Sequence, residues 1–146
     1  MTKWIYDDGG RSAAGISGKR AGDCVTRAIA IAAKIPYIEA QALTREVMGF
    51  DENEDNAAIR AFRGGDEGVH KEGCREVFAR LGWKWTATMK IGQGCKVHLR
   101  AEELPSGRIV ANVSKHLVAV IDGIIHDTYD CSRNGTRCVY GYWSKP

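Results

Sequence analysis

The sequence predicts an α+β fold, with helices first and an antiparallel sheet after them. Three observations carry this reading. The long helical patterns all lie in the chain up to Leu81. The stretch from Pro105 to Trp143 reads as successive strands, and within it Asp122-Gly123 separates two β-rich runs, the strongest short-range signal for a hairpin with a type I′ turn. Runs of helices followed by runs of strands are the α+β plan.

Taken in order, the chain opens with a strand-like Trp4-Ile5-Tyr6 and passes into DDGGRSAAGISGKRAG, a glycine-rich stretch that reads as a loop up to Gly22. Asp23 is placed to cap a helix over Cys24 to Lys34, apolar on nearly every side and therefore expected at the centre of the core. Pro36 separates it from a second helix, Tyr37 to Met48, with an apolar stripe at Ile38, Ala42, Leu43 and Val47. Residues 51–69 are acidic and weakly periodic, an exposed excursion. A third helix runs from Lys71 to Leu81, with Cys74, Val77, Phe78 and Leu81 on its apolar side, and Gly82 stops it. Alternation predicts a strand at Trp83 to Met89, and Leu99 to Leu104 reads as a short helix. Further strands follow at Arg108–Val113, His116–Ile121, Ile124–Tyr129 and Cys138–Trp143.

Length and composition narrow the function. A chain of 146 residues with 44% hydrophobic and 27% charged residues is expected to form one domain over residues 1–146 with its own core. The longest early apolar run, Ala28 to Ala33, falls far short of the ~20 residues that span a bilayer. Because it follows Asp23 and Arg27, it also reads poorly as a signal-peptide core. We therefore expect a cytoplasmic protein with no membrane partner. A net charge of +3, with basic residues scattered apart from Lys19-Arg20, gives no reason to expect a nucleic-acid partner. The five cysteines (24, 74, 95, 131, 138) form no CxxC pair, and His70, His98, His116 and His126 form no zinc-ligand spacing. No metal and no cofactor are expected. The cysteines read as separate thiols, with Cys131 and Cys138 the best placed for a disulfide across a loop.

The candidate chemistry lies in GDCVTRAIAIAAK and SKHLVAVIDGIIHDTYDC. Cys24 at the first turn of a helix gains from unpaired backbone N–H groups and the positive end of the helix dipole, which favour a thiolate. A two-residue turn at 122–123 puts His116, Val118 and Val120 on one face with Ile125, Asp127 and Tyr129. His116 and Asp127 are then diagonal neighbours, roughly 5–8 Å apart at their β-carbons. Cys24 is thus the candidate nucleophile, His116 its base and Asp127 the group that orients the base, with Asp130 in reserve on the other face. Tyr129 shares the His116 face, and His126 lies opposite. Gly22 would let a substrate backbone approach, and the Cys24 N–H would be the first oxyanion donor.

These strings resemble the papain-like cysteine peptidase superfamily, and also small phage and prophage proteins with a DC…RA opening and an HLVAV-DG…HDT-D close. The resemblance spans about residues 20–143. It implies a papain-like fold, with the nucleophile on a central helix packed against a C-terminal antiparallel sheet. It also implies a thiol hydrolase acting on a peptide, isopeptide or related amide bond of a protein or peptide substrate. Family members usually carry a Gln about six residues before the nucleophile as oxyanion donor. Here that position is Gly18, followed by Lys19, a possible replacement. Two alternatives stay open: an acyl or amide transferase using the same triad, and a catalytically weak or inactive protein that keeps the fold to bind another protein. The oligomeric state is not written in the sequence.

Overall fold

The computed structural model describes residues 3–16, 23–48, 67–89 and 92–145. The readings placed on Gly18, Lys19, Arg20 and Gly22, and on the excursion over 51–66, lie outside the described residues. Among the described residues three α-helices, α1 (Cys24–Ala33), α2 (Tyr37–Met48) and α3 (Glu67–Arg80), precede most of a six-stranded open sheet. Its strands are β1 (Trp4–Tyr6), β2 (Lys84–Ala87), β3 (Arg108–Val113), β4 (His116–Ile121), β5 (Ile124–Asp127) and β6 (Val139–Ser144), in the order β1-β5-β4-β3-β6-β2. The α+β class holds, with one correction to the antiparallel expectation. β1 joins the edge of the sheet parallel to β5, pairing Trp4 with Ile125 and Tyr6 with Asp127.

The hairpin forms as its turn chemistry demands. Asp122 and Gly123 both adopt positive φ, 50° and 78°, as a type I′ turn requires, and Ile121 pairs with Ile124, Val120 with Ile125 and Ala119 with His126. β4 is central and its interior residues are all buried, so its unbroken apolar run Leu117-Val118-Ala119-Val120 serves both faces. Leu117 and Ala119 join α1, Val110, Phe78 and Trp143 in one core. Val118 and Val120 join Ile109, Ala111, Val113, Ile125, Val139, Leu99 and Cys131 in a second core on the other face. α1 is buried from Val25 through Ala32, as its all-round apolar sequence predicts. α3 begins four residues before the expected Lys71, and Gly82 at φ 76° follows its end.

Three local expectations are corrected. Asp23 precedes α1 without capping it, because its carboxylate is taken by Arg11, Arg27 and Tyr37. α2 packs Leu43 and Val47 against the core as expected, but it buries Tyr37, Ala40, Gln41 and Thr44 more deeply and leaves Ile38 and Ala42 exposed. Polar anchors set that rotation: the Tyr37 hydroxyl donates to Asp23, and the Thr26 and Thr44 hydroxyls hydrogen-bond at 3.1 Å. The cysteines are not all separate thiols as expected: Cys95 and Cys138 form a disulfide, and Cys131, the better placed by sequence to pair with Cys138, does not. The backbone around Val97–Leu99 pairs with Arg137–Val139 and brings Cys95 alongside Cys138, whereas Cys131 is enclosed in the second core.

Candidate active site

The sheet delivers His116 and Asp127 to one place. Strand alternation puts both on the face of Val118 and Ile125, and the hairpin register makes them diagonal neighbours. Nε2 of His116 lies 2.6 Å from Oδ2 of Asp127. The other carboxylate oxygen, Oδ1, accepts from the Thr128 backbone N–H at 2.7 Å and from Nη2 of Arg27 at 3.2 Å. Burial alone would raise the pKa of Asp127. The hydrogen bond and charge of His116, the Thr128 N–H and the Arg27 guanidinium overcome it and hold the carboxyl below the usual range. An ionised carboxylate only accepts, so Nε2 of His116 carries the hydrogen and Nδ1 is the nitrogen left to take a proton. Trp4 donates its indole N–H to the Asp127 carbonyl, as does the Asp7 backbone N–H, each at 3.0 Å, which fixes the end of β5 against β1.

Cys24 is the first residue of α1, half-buried and a thiol. Arg27, which touches Asp127, stands three residues further along the same helix, on the same face as Cys24. The Arg27 side chain therefore ties α1 to the His116–Asp127 pair at the end of β5. Burial lowers the Arg27 pKa, but Asp23, then Asp127, then the Cys24 sulfur act in the opposite direction and keep it raised. The cation is permanent at any working pH.

The structure adds a residue to the site that strand and helix patterns did not point to. Cys131 clusters with His116 and Asp127, with one donor atom from each within 4.8 Å of the others; Cys24 stands outside this cluster. Such a trio has the residue types of a metal site or of a hydrolase triad. The Cys131 thiol is poorly suited to either, because burial and the adjacent Asp127 carboxylate push its pKa to about 12. Arg27 on the carboxylate also opposes a metal cation.

The remaining sequence candidates have other partners. The Asp130 carboxylate accepts from the backbone and hydroxyl of Ser132, forming a turn. His126, on the opposite face as expected, pairs with Asp7 at 3.4 Å. Tyr129, on the His116 face as expected, lies against His116 with ring centroids 5.5 Å apart and remains half-exposed. Arg27 and Asp23 were missed because a charged residue inside an apolar helix and a helix-start Asp look ordinary in sequence. The one available signal was Arg27 itself, the single charge within an otherwise apolar run. Comparison with protein-family models, curated proteins and solved structures returns no match, so the roles of these residues rest on their chemistry.

Proposed function

We propose that the protein is a cysteine-dependent hydrolase acting on a peptide, isopeptide or related amide bond, with Cys24 as nucleophile, His116 as base and Asp127 as orienting group. The observation that carries the reading is the His116–Asp127 contact, with Asp127 tied by Arg27 to the helix that Cys24 heads. The resemblance to papain-like cysteine peptidases points the same way.

Of the cysteines outside the disulfide, Cys24 has the right surroundings. Cys131 is 1% exposed and held protonated, and Cys74 is buried in the helix-side core. Cys24 has partial exposure, the N-terminal turn of α1 and a cation one turn away, all of which favour a reactive thiolate. In the reaction, Nδ1 of His116 takes the Cys24 proton as the sulfur bonds to the amide carbonyl carbon. The backbone N–H of Cys24 stabilises the oxyanion. The C–N bond then breaks as His116 passes that proton to the leaving amine, and a thioester remains. Water, its proton taken by His116, releases the acid and restores the thiol. An amine acceptor in place of water makes the same site a transferase.

Trapping the acyl-enzyme tests this. The protein is incubated with p-nitrophenyl acetate and quenched in acid, and its peptides are mapped by mass spectrometry. A hydroxylamine-sensitive acyl group on Cys24, absent in H116A, is expected. An acyl group on Cys131, or on no cysteine, would exclude the assignment.

A further inference from the structure

We propose that Arg27 is the positioning residue of this site: it anchors one oxygen of Asp127 so that the other is aimed at His116, and it sets a fixed positive charge beside the head of α1. The inference deepens the hydrolase reading and rests on it where Cys24 is concerned.

Arg27 is 8% exposed and lies between two buried carboxylates, Asp23 at 0% and Asp127 at 3%. One terminal nitrogen, Nη1, donates to Asp23 and the other, Nη2, to Asp127. Asp23 is held in turn by Arg11 at 3.1 Å and by the Tyr37 hydroxyl at 2.5 Å. A chain of alternating charge, Arg11–Asp23–Arg27–Asp127, thus runs from the N-terminal loop through α1 to His116. Its two cations and two anions cancel when His116 is neutral, so the desolvated ions compensate one another.

The division of labour on Asp127 separates positioning from mere pairing. Oδ2 faces Nε2 of His116, while Oδ1 is held by Arg27 and the Thr128 N–H. With both oxygens fixed, the carboxylate plane cannot turn away from His116, which in turn fixes the imidazole tautomer. The planar fork of Arg27 spans two acids in a way that a lysine ammonium cannot. Arg27→Lys therefore keeps the charge and loses the geometry.

The test uses the full-length protein and two variants, R27K and R27Q, each first checked for a cooperative thermal melt. Two quantities are then read: the pH profile of Cys24 alkylation by iodoacetamide, and the imidazole ¹⁵N shifts of His116, which report its tautomer. The expected result is a folded R27K in which Cys24 alkylation near neutral pH falls about tenfold, short of the ~100-fold that a 1 Å misplacement can cost, and His116 becomes a tautomer mixture. R27Q should lose the same tautomer preference and shift the alkylation profile to higher pH. Wild-type profiles and tautomer in a folded R27K would overturn the proposal, leaving Arg27 a structural ion pair. Failure of both variants to fold would assign Arg27 to the fold as a whole and equally end the proposal. If wild-type Cys24 behaves as an ordinary thiol while R27K still scrambles the His116 tautomer, the hydrolase reading fails and the positioning of His116 by Arg27 through Asp127 stands.

Discussion

Asp127 receives a donor on each oxygen, from His116 on one side and from Arg27 and Thr128 on the other. A carboxyl held below its usual pKa in the folded state binds fewer protons there than in the unfolded chain, so stability rises with pH across that window. The contribution is complete above the unfolded carboxylate value, near ~4, and is lost as pH falls through the folded one. Urea unfolding of D127N beside wild type should therefore show a gap that is largest at neutral pH and narrows under acid. A gap that widens toward low pH would contradict the assigned direction. Cys131 offers a second check at this scale. A thiol at about 12 and 1% exposed should resist iodoacetamide in the native protein up to pH 9 and react only on unfolding. The His116–Asp127 contact was legible in sequence because an Asp-Gly turn fixes register, and register fixes which side chains share a face. Cys131 was not, since it follows β5 in a segment that alternation does not govern.

At the scale of elements, β3, β4, β6 and all three helices were legible to within a few residues, because an apolar pattern and a turn residue mark each one. The face that α2 buries was legible only in part, at Leu43 and Val47. Counting apolar positions selects Ile38, Ala42, Leu43 and Val47, yet Tyr37 and Thr44 are drawn inward by hydroxyl partners on Asp23 and Thr26. A polar residue buried with a partner looks like a surface residue in sequence. The helix-side core is also fastened by aromatics: Trp143 on β6 stacks on Phe78 of α3 at 4.7 Å and meets Trp85 of β2 at 4.8 Å. Truncating a buried aromatic of this kind costs about 3–5 kcal/mol. W143A should lower the stability of the whole protein by that order in urea unfolding. A loss under ~1 kcal/mol would mean that the α3–sheet contact contributes little beyond ordinary surface substitution.

For the whole molecule, one sheet carries two cores, and the candidate site lies where Arg27 of α1 reaches Asp127 at the end of β5. The Cys95–Cys138 disulfide closes a separation of 43 residues, for which loop-closure entropy corresponds to ~4 kcal/mol. Reduction, or C138A, should lower the thermal midpoint clearly while leaving Cys24 reactivity within about twofold, since a change under ~0.4 kcal/mol corresponds to that factor. The disulfide escaped sequence reasoning because pairing two cysteines needs the path of the backbone between them, which the pattern around Gly92–Leu99 does not supply. The central claim, an activated Cys24, is tested most directly by measuring the alkylation rate of each cysteine with iodoacetamide between pH 5 and 9, by peptide mass spectrometry, in wild type and H116A. The account predicts fast modification of Cys24 ahead of the other thiols, with a plateau reaching below pH 7 that vanishes in H116A. A Cys24 that titrates near ~8.5 and reacts no faster than an ordinary exposed thiol, unchanged in H116A, would contradict it.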